Sequence, residues 1–259
     1  MGSREMSGPW RKALYGVIAA MVSSSLIFLL LAAFRPYWLS RYTDYSVAVL
    51  SFLPVVSGFF LVRRYSFGSV FGKCFSFLTS ASTLWFLGEA SWMFQSIVLG
   101  EGMPFPSFSD FLWMSGYVFI GLGVYAMFKM FNPFSFMRRR RLISILSLTS
   151  AASMITLALT PEIYKGASLI ELFIYDWYIV MDIIFLGLLY IIFQTFMGGG
   201  ISRAWLTLIL GIAVTLLADF FFNLATSMDS ETYLLFGDLI YMNGYSLIAL
   251  GFIRHGMEL

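Results

Sequence analysis

Eight long runs of apolar residues dominate the sequence. Each is roughly as long as the 17–25 residues that an α-helix needs to cross the hydrocarbon core of a bilayer. Only 12% of the 259 residues are charged, whereas a soluble domain carries about 25%. We therefore predict an all-α membrane protein with eight transmembrane helices. The predicted helices cover about 13–34, 45–62, 70–98, 111–131, 142–160, 170–196, 203–226 and 232–253.

The distribution of lysine and arginine predicts the orientation of these helices. If the N-terminus is inside, 13 of the 16 basic residues fall in inner segments, and cytoplasmic loops carry such an excess. We predict a multi-pass protein of the plasma membrane with both ends in the cytoplasm. The run Arg138–Arg141 then anchors the inner side and contacts anionic lipid; we expect no nucleic acid as a partner. The first apolar run is too long for a signal peptide and is expected to span the membrane.

Two segments of the chain resemble each other. Asp110–Gly123 aligns with Asp238–Gly251, 128 residues further along, and seven of the fourteen positions are identical. The identical positions include the aspartate and a Gly-Tyr pair, which hydrophobic bias alone does not produce. The alignment therefore predicts an internal repeat.

The similarity extends upstream of both segments, where Glu89 corresponds to Asp219. The predicted architecture is two four-helix halves, 1–131 and 132–259, in a single membrane domain. Because each half contains an even number of helices, both halves enter the membrane in the same direction, as parallel repeats do.

Several acidic residues lie within the predicted helices, in or near the outer half of the membrane. A charged carboxylate in hydrocarbon costs at least about 2.5–3.5 kcal/mol, and no lysine or arginine lies at membrane depth as a partner, because the basic residues lie outside the apolar runs or at their ends. We therefore predict an outward-facing acidic and aromatic cavity for a small ligand, cation or proton. Its predicted ligand-binding residues are Glu89, Asp110, Asp176, Asp182, Asp219, Asp238, Trp92, Trp113, Tyr117, Tyr241, Asn243 and Tyr245.

Each of these residues also has a structural interpretation. Asp110 follows a Pro-Ser-Phe-Ser sequence and can stabilise a helix N-terminus. Glu89 and Asp219 can be protonated carboxyls that bond neighbouring helices. The aromatic residues are typical of packing and of interface belts.

The sequence also excludes several classes of function. The single cysteine, Cys74, cannot form an internal disulfide or a CxxC site. The single histidine, His255, excludes bis-histidine haem and disfavours the usual zinc sites. None of the four lysines lies in the middle of an apolar run, so a retinal Schiff base is excluded. We expect no cofactor, no metal and no catalytic residue, which favours a protein that is not an enzyme.

The segment Pro106–Tyr117 resembles a P-S-x-A-D-x-x-Y-L-x-x-Y motif, with Ser109 in place of the usual alanine. That motif is similar to one in the eight-helix membrane input regions of prokaryotic signalling proteins such as diguanylate cyclases and histidine kinases. Asp219 and the second segment from Gly237 to Tyr245 fit the same pattern. The resemblance implies a sensor and a cytoplasmic signalling partner. Because the sequence ends shortly after the last helix, we expect a stand-alone relative or a piece of a longer protein.

A second resemblance concerns Tyr175-Asp176 and Gly237-Asp238. These pairs look like the Tyr-Asp and Gly-x-Gly-Asp motifs of presenilin-like intramembrane aspartyl proteases, which implies two carboxylates sharing a proton. Leu235 stands where the first glycine is expected, and no Pro-Ala-Leu segment is present.

The leading prediction is a membrane sensor or ligand-binding module. A small cation- or proton-coupled transporter is the alternative, followed by an intramembrane aspartyl-type hydrolase and a purely structural role. Coupled uptake into proteoliposomes would favour the transporter, and a cytoplasmic signalling partner would favour the sensor.

Overall fold

The computed structural model describes residues 3–66, 68–100, 105–133, 138–196 and 202–258. These residues form eight α-helices, all long and apolar enough to cross a membrane, and they contain no strand. The predicted all-α membrane class and the predicted helix count are therefore confirmed. The helices are α1 (Ser3–Phe34), α2 (Leu39–Val62), α3 (Val70–Leu99), α4 (Phe108–Phe131), α5 (Arg139–Ile163), α6 (Leu169–Phe196), α7 (Ser202–Met228) and α8 (Glu231–Glu258).

All the helices except α3 start earlier than the apolar runs do. α2 begins at Leu39, directly after a 3-10 turn at Pro36–Trp38, and not near residue 45. Proline is tolerated in the first turn of a helix because its missing N–H has no intrahelical acceptor there, so the chain resumes a helix at once after Arg35. The prediction followed hydrophobicity and left out the polar first turns. As a result Thr43 and Asp44 lie inside α2.

Six helices enclose the interior of the bundle. α2, α3, α4, α6, α7 and α8 form a closed ring in which each packs against the next and α8 returns to α2. α1 lies outside the ring against α8 and α2, and α5 lies outside against α6. α5 buries only Thr160, which suits a helix that is exposed to lipid over most of its surface. Polar side chains of the six ring helices can therefore face a common interior.

Glycines bring the paired helices into close contact. A Cβ atom at Gly251 of α8 would lie 2.8 Å from the backbone of Leu208 in α7, and one at Gly244 would lie 2.9 Å from the backbone nitrogen of Thr215. Small residues allow such approach between membrane helices. In α4, Gly116 lies against the Trp85 ring of α3 in the same way. These contacts fix the register of α3 with α4 and of α7 with α8.

An aromatic cluster closes one end of the ring. The Tyr65 hydroxyl is 2.6 Å from His255 Nε2, and the rings of Phe71, Phe75 and Trp205 pack around the histidine. Burial raises the pKa of Tyr65 to about 12. The interior of the ring is therefore filled by side chains at this end, and the acidic cavity lies at the other.

Candidate ligand-binding cavity

A cavity of about 480 Å³ lies inside the ring. It is at the end of the bundle where α2, α4, α6 and α8 begin and where α3 and α7 end. Phe105, Asp229 and Ser230, which lie in or beside the loops at that end, contribute to its lining. The volume falls within the roughly 300–1,000 Å³ that is usual for small-molecule sites.

Carboxyl groups and aromatic rings form most of the functional lining. No lysine, arginine or histidine is among the described residues that line the cavity. The acids are Asp44, Glu89, Asp110, Asp219, Asp229, Glu231 and Asp238. The aromatic residues are Trp85, Trp92, Phe105, Trp113, Tyr117, Tyr175, Tyr178, Phe222, Tyr241 and Tyr245.

The structure brings most of the predicted site residues to this cavity. Nine of the twelve line it, namely Glu89, Asp110, Asp219, Asp238, Trp92, Trp113, Tyr117, Tyr241 and Tyr245. The other three do not. Asn243 donates from its side-chain nitrogen to Ser25 Oγ of α1 at 3.2 Å and to the Leu239 carbonyl at 2.7 Å. Asp182 is buried and does not line the cavity, and Asp176 does not line it either.

The aspartates of the protease resemblance are therefore not both on the cavity wall. Asp238 lines the cavity and Asp176 does not. One carboxylate oxygen of Asp176 is buried with no hydrogen-bond partner among the described residues.

Two tyrosine hydroxyls form hydrogen bonds with acidic side chains across the ring. The hydroxyl of Tyr245 in α8 donates to Glu89 Oε1 in α3 at 2.7 Å. The hydroxyl of Tyr117 in α4 lies 2.9 Å from Asp219 Oδ2 in α7. Tyr117 and Tyr245 occupy aligned positions of the two similar segments, and so do the two acids. Each tyrosine thus contacts an acid in the other predicted half of the chain: Tyr245 contacts Glu89, and Tyr117 contacts Asp219.

Asp219 belongs to a larger hydrogen-bonded group. Its other carboxylate oxygen accepts a hydrogen bond from the Tyr241 hydroxyl. The Tyr117 hydroxyl also lies 2.5 Å from Oδ1 of Asp182 in α6. Asp182 is only 6% exposed, so Tyr117 connects an acid on the cavity wall with an acid buried behind it.

Asp110 serves both the helix and the cavity. The Ser107 side chain accepts a hydrogen bond from the Asp110 backbone N–H, and Asp110 Oδ2 accepts one from the Ser107 backbone N–H at 2.7 Å. This reciprocal capping box confirms the interpretation of Asp110 as a residue that stabilises a helix N-terminus. Its second oxygen accepts a hydrogen bond from Tyr178 of α6 at 3.2 Å, and this contact orients the carboxyl at the cavity wall.

Asp44 also lines the cavity, although the apolar pattern does not predict it. It lies in the second turn of α2, near Asp238, and Thr43 beside it is a hydrogen-bonding neighbour of Asp238. Ser96 of α3 donates to Asp44 Oδ2 at 2.9 Å. Because the apolar run begins after Asp44, the residue was assigned to a loop. Extension of the helix back to the Pro36 turn would have placed it with the other acids.

The sequence matches no protein-family model, and no curated protein or solved structure is significantly similar to it. Both family resemblances therefore remain predictions. What the cavity can bind has to follow from its own chemistry. Carboxylates surrounded by aromatic rings favour a positively charged ligand.

Proposed function

We propose that this chain is a multi-pass membrane sensor or binding module whose cavity takes a small organic cation. The observation that carries the proposal is the convergence of Glu89 and Asp219 on one aromatic cavity whose described lining contains no basic side chain. A buried carboxylate without a positive partner is costly. A cationic ligand would supply that partner, so binding has an electrostatic driving force.

The spacing of the acids favours an organic cation. No three of the described His, Cys, Asp and Glu side chains are grouped so that they could hold one metal ion. The carboxyl groups are distributed around the walls, and rings such as Trp92, Trp113 and Phe222 lie between them. An ammonium group can contact a carboxylate while its carbon skeleton lies against the rings.

The basic residues support an outward-facing cavity. At the opposite end of the bundle lie Arg63, Arg64, Lys73, Lys129, Arg138–Arg141, Arg203 and Arg254, whereas the cavity end has Arg35, Arg41 and Lys165. By the positive-inside rule, the end rich in basic residues is cytoplasmic. The cavity then faces the outside of the plasma membrane.

The two-repeat architecture is part of the same proposal. Gly116 packs on Trp85 and Gly244 packs on Thr215, and both the glycines and their partners correspond in the alignment of the two halves. The crossed tyrosine–acid pairs follow the same correspondence. A cavity built in this way lies between the halves, so a ligand could change their relative position and carry a signal to a cytoplasmic partner.

The arginine run is the proposed contact with lipid. Arg138–Arg141 are exposed at the N-terminus of α5, where the helix dipole favours negative and not positive charge. Anionic headgroups of the inner leaflet would compensate this unfavourable arrangement. The contact would hold the cytoplasmic end of α5 at the membrane surface.

Benzylamine, a small primary ammonium ion with one ring, tests the proposed ligand class. Because Trp85, Trp92 and Trp113 line the cavity, binding should change the tryptophan fluorescence of the purified protein. Benzyl alcohol, which is neutral and similar in shape, should bind at least tenfold more weakly. Asp219→Asn and Glu89→Gln should each weaken benzylamine binding about tenfold or more, because a hydrogen bond to a charged group is worth about 1.5–3 kcal/mol.

Asp176→Asn is the matched control, because Asp176 is an acid of the bundle that does not line the cavity. Its benzylamine affinity should equal that of the wild type. Equal binding of benzylamine and benzyl alcohol, or no binding of either, would contradict the proposed cation site.

A proton-coupled transporter is the second candidate. The observation in its favour is the bridge through Tyr117, which links the cavity acid Asp219 to the buried acid Asp182. Against it, the second described cavity, at the opposite end, is lined mainly by apolar residues of α1, α2 and α8. Uptake of benzylamine into proteoliposomes, driven by a pH gradient and lost in Asp219→Asn, would favour the transporter. Binding without uptake would favour the sensor.

A further inference from the structure

One hydroxyl group faces two carboxyl groups at the inner wall of the cavity. The Tyr117 oxygen lies 2.5 Å from Asp182 Oδ1 and 2.9 Å from Asp219 Oδ2. A tyrosine hydroxyl has a single hydrogen to donate, and an ionised carboxylate can only accept. Each contact can be a full hydrogen bond with a hydrogen of its own only if one of the two acids carries a proton and donates it to the Tyr117 oxygen.

The surroundings of the two acids show which of them holds the proton. Asp219 lines the cavity and accepts a second hydrogen bond, from Tyr241, so its negative charge is stabilised. Asp182 is 6% exposed, does not line the cavity and has Tyr117 as its side-chain partner. A buried carboxyl group with few donors is the more costly one to ionise. The proton therefore belongs on Asp182.

We propose that Asp182 stores one proton and that a cation binding beside Asp219 releases it, so that the cavity exchanges an organic ammonium ion for a proton. This inference rests on the proposed cation site. Before binding, protonated Asp182 and ionised Asp219 carry one negative charge together. After binding, two carboxylates and one ammonium ion again sum to one negative charge. The Asp182 O–H bond breaks and its proton passes to water, with the Tyr117 hydroxyl as the relay.

The groups around Asp182 fit this exchange. α4 presents Tyr117 and α7 presents Asp219, while α8 contributes Tyr241 on the far side of Asp219. α5, the remaining neighbour of α6, has no ionisable side chain in residues 142–160. Glu89 of α3 is a further carboxyl group near Asp219. No described basic side chain in this group could balance a second charge, so ionisation of Asp182 needs the positive ligand.

The exchange makes ligand affinity depend on pH. Protons compete with the ammonium ion, so the amine should bind more tightly as the pH rises while it remains charged. A sensor with this site reports the outside concentration of the cation relative to that of the proton.

Titration calorimetry with benzylamine measures the exchange. When the experiment is repeated in buffers that differ in heat of ionisation, the wild type should release about one proton for each amine bound. Asp182→Asn, which cannot store a proton, should bind the amine with no release. Asp176→Asn, the matched control on the same helix, should release the proton as the wild type does. Binding without release in the wild type, or equal release in Asp182→Asn, would overturn the exchange.

Infrared spectroscopy tests the stored proton without any ligand. The carbonyl band of a protonated carboxyl group should be present in the wild type and in Asp176→Asn and should weaken in Asp182→Asn. If that variant does not fold, the band of the wild type should still weaken when benzylamine is added. An unchanged band in the variant would overturn the inference. If no amine binds but the band is lost, the proposed ligand fails while the assignment of the proton to Asp182 survives.

Discussion

Tyr245 of α8 donates a hydrogen bond to Glu89 of α3 over 2.7 Å, and both side chains are buried. α3 and α8 are not neighbours in the ring, because α2 lies between them on one side. The bond therefore spans the interior and ties together helices that do not pack directly along their length. It joins residues of the two predicted halves and occupies the wall of the cavity. Stability and the proposed ligand binding consequently depend on the same contact.

Tyr245→Phe is expected to destabilise the protein by about 1–3 kcal/mol, because Glu89 would lose its donor while remaining buried. Glu89→Gln should cost less, since the amide oxygen can still accept the bond. The double variant should lose less stability than the sum of the losses in the two single variants. Thermal unfolding of the purified protein in detergent measures all three. Tyr15→Phe, at a tyrosine that is 69% exposed, should leave the unfolding temperature unchanged. An unchanged unfolding temperature in Tyr245→Phe would contradict a stabilising role of this hydrogen bond.

Gly251→Ala should destabilise the bundle. The added methyl group would lie 2.8 Å from backbone and side-chain atoms of Leu208, so α7 and α8 would have to separate, and overpacking of this kind costs about 1–3 kcal/mol. Gly16→Ala in α1 is the control, because nothing lies within 4 Å of the new Cβ atom. It should be neutral or slightly stabilising. Thermal unfolding distinguishes the two, and an equal response would argue against close packing at Gly251.

The sequence predicts the eight helices and nine of the residues that line the cavity. Apolar runs identify spanning helices because lipid permits no unsatisfied backbone, and acids such as Glu89 and Asp219 in those runs need a common polar interior. The failures have physical causes. Hydrophobicity does not show where a polar first turn begins, so Asp44 was missed. It also does not give the rotation of a helix, so Asn243 was placed in the cavity although it faces Ser25 of α1.

The role of Asp182 needed the structure for another reason. Its depth along α6 resembles that of a cavity residue, but only three-dimensional contacts show that Tyr117 stands between it and the cavity. Periodicity gives the helix face of a residue to within about a quarter turn, which is too coarse to separate a wall residue from the one behind it. The stored proton is therefore a property of contacts that the sequence pattern does not encode.

The proposed orientation can be tested by cysteine labelling on intact cells. Lys165→Cys replaces an exposed side chain at the cavity end, and Arg138→Cys replaces one at the opposite end. A membrane-impermeant maleimide should label the first in intact cells and the second only after permeabilisation. The wild type is the background control, because its one cysteine, Cys74, is fully buried. Labelling of Arg138→Cys in intact cells would indicate the opposite topology, in which the cavity opens to the cytoplasm.

The aromatic end of the bundle should lose stability in alkali. Burial raises the pKa of Tyr65 from 10.0 to about 12, although the nearby Arg64 charge opposes the shift. The folded protein therefore holds the Tyr65 proton more tightly than the unfolded chain does. This contribution is complete below pH 10 and is lost as the pH rises from 10 to 12. Unfolding temperatures between pH 8 and 12 should show a steeper decline for the wild type than for Tyr65→Phe.

The comparison isolates Tyr65 because other tyrosines titrate in both proteins. At pH 8 the wild type should be the more stable, since Tyr65→Phe removes the hydroxyl that contacts His255 Nε2 at 2.6 Å. That advantage should shrink steadily above pH 10, because ionised Tyr65 would be a negative charge held in an aromatic environment. Tyr37→Phe, at a tyrosine that is 78% exposed, should follow the wild-type curve throughout. Parallel declines for the wild type and Tyr65→Phe would show that the Tyr65 hydroxyl is exposed to water and that the aromatic end is open.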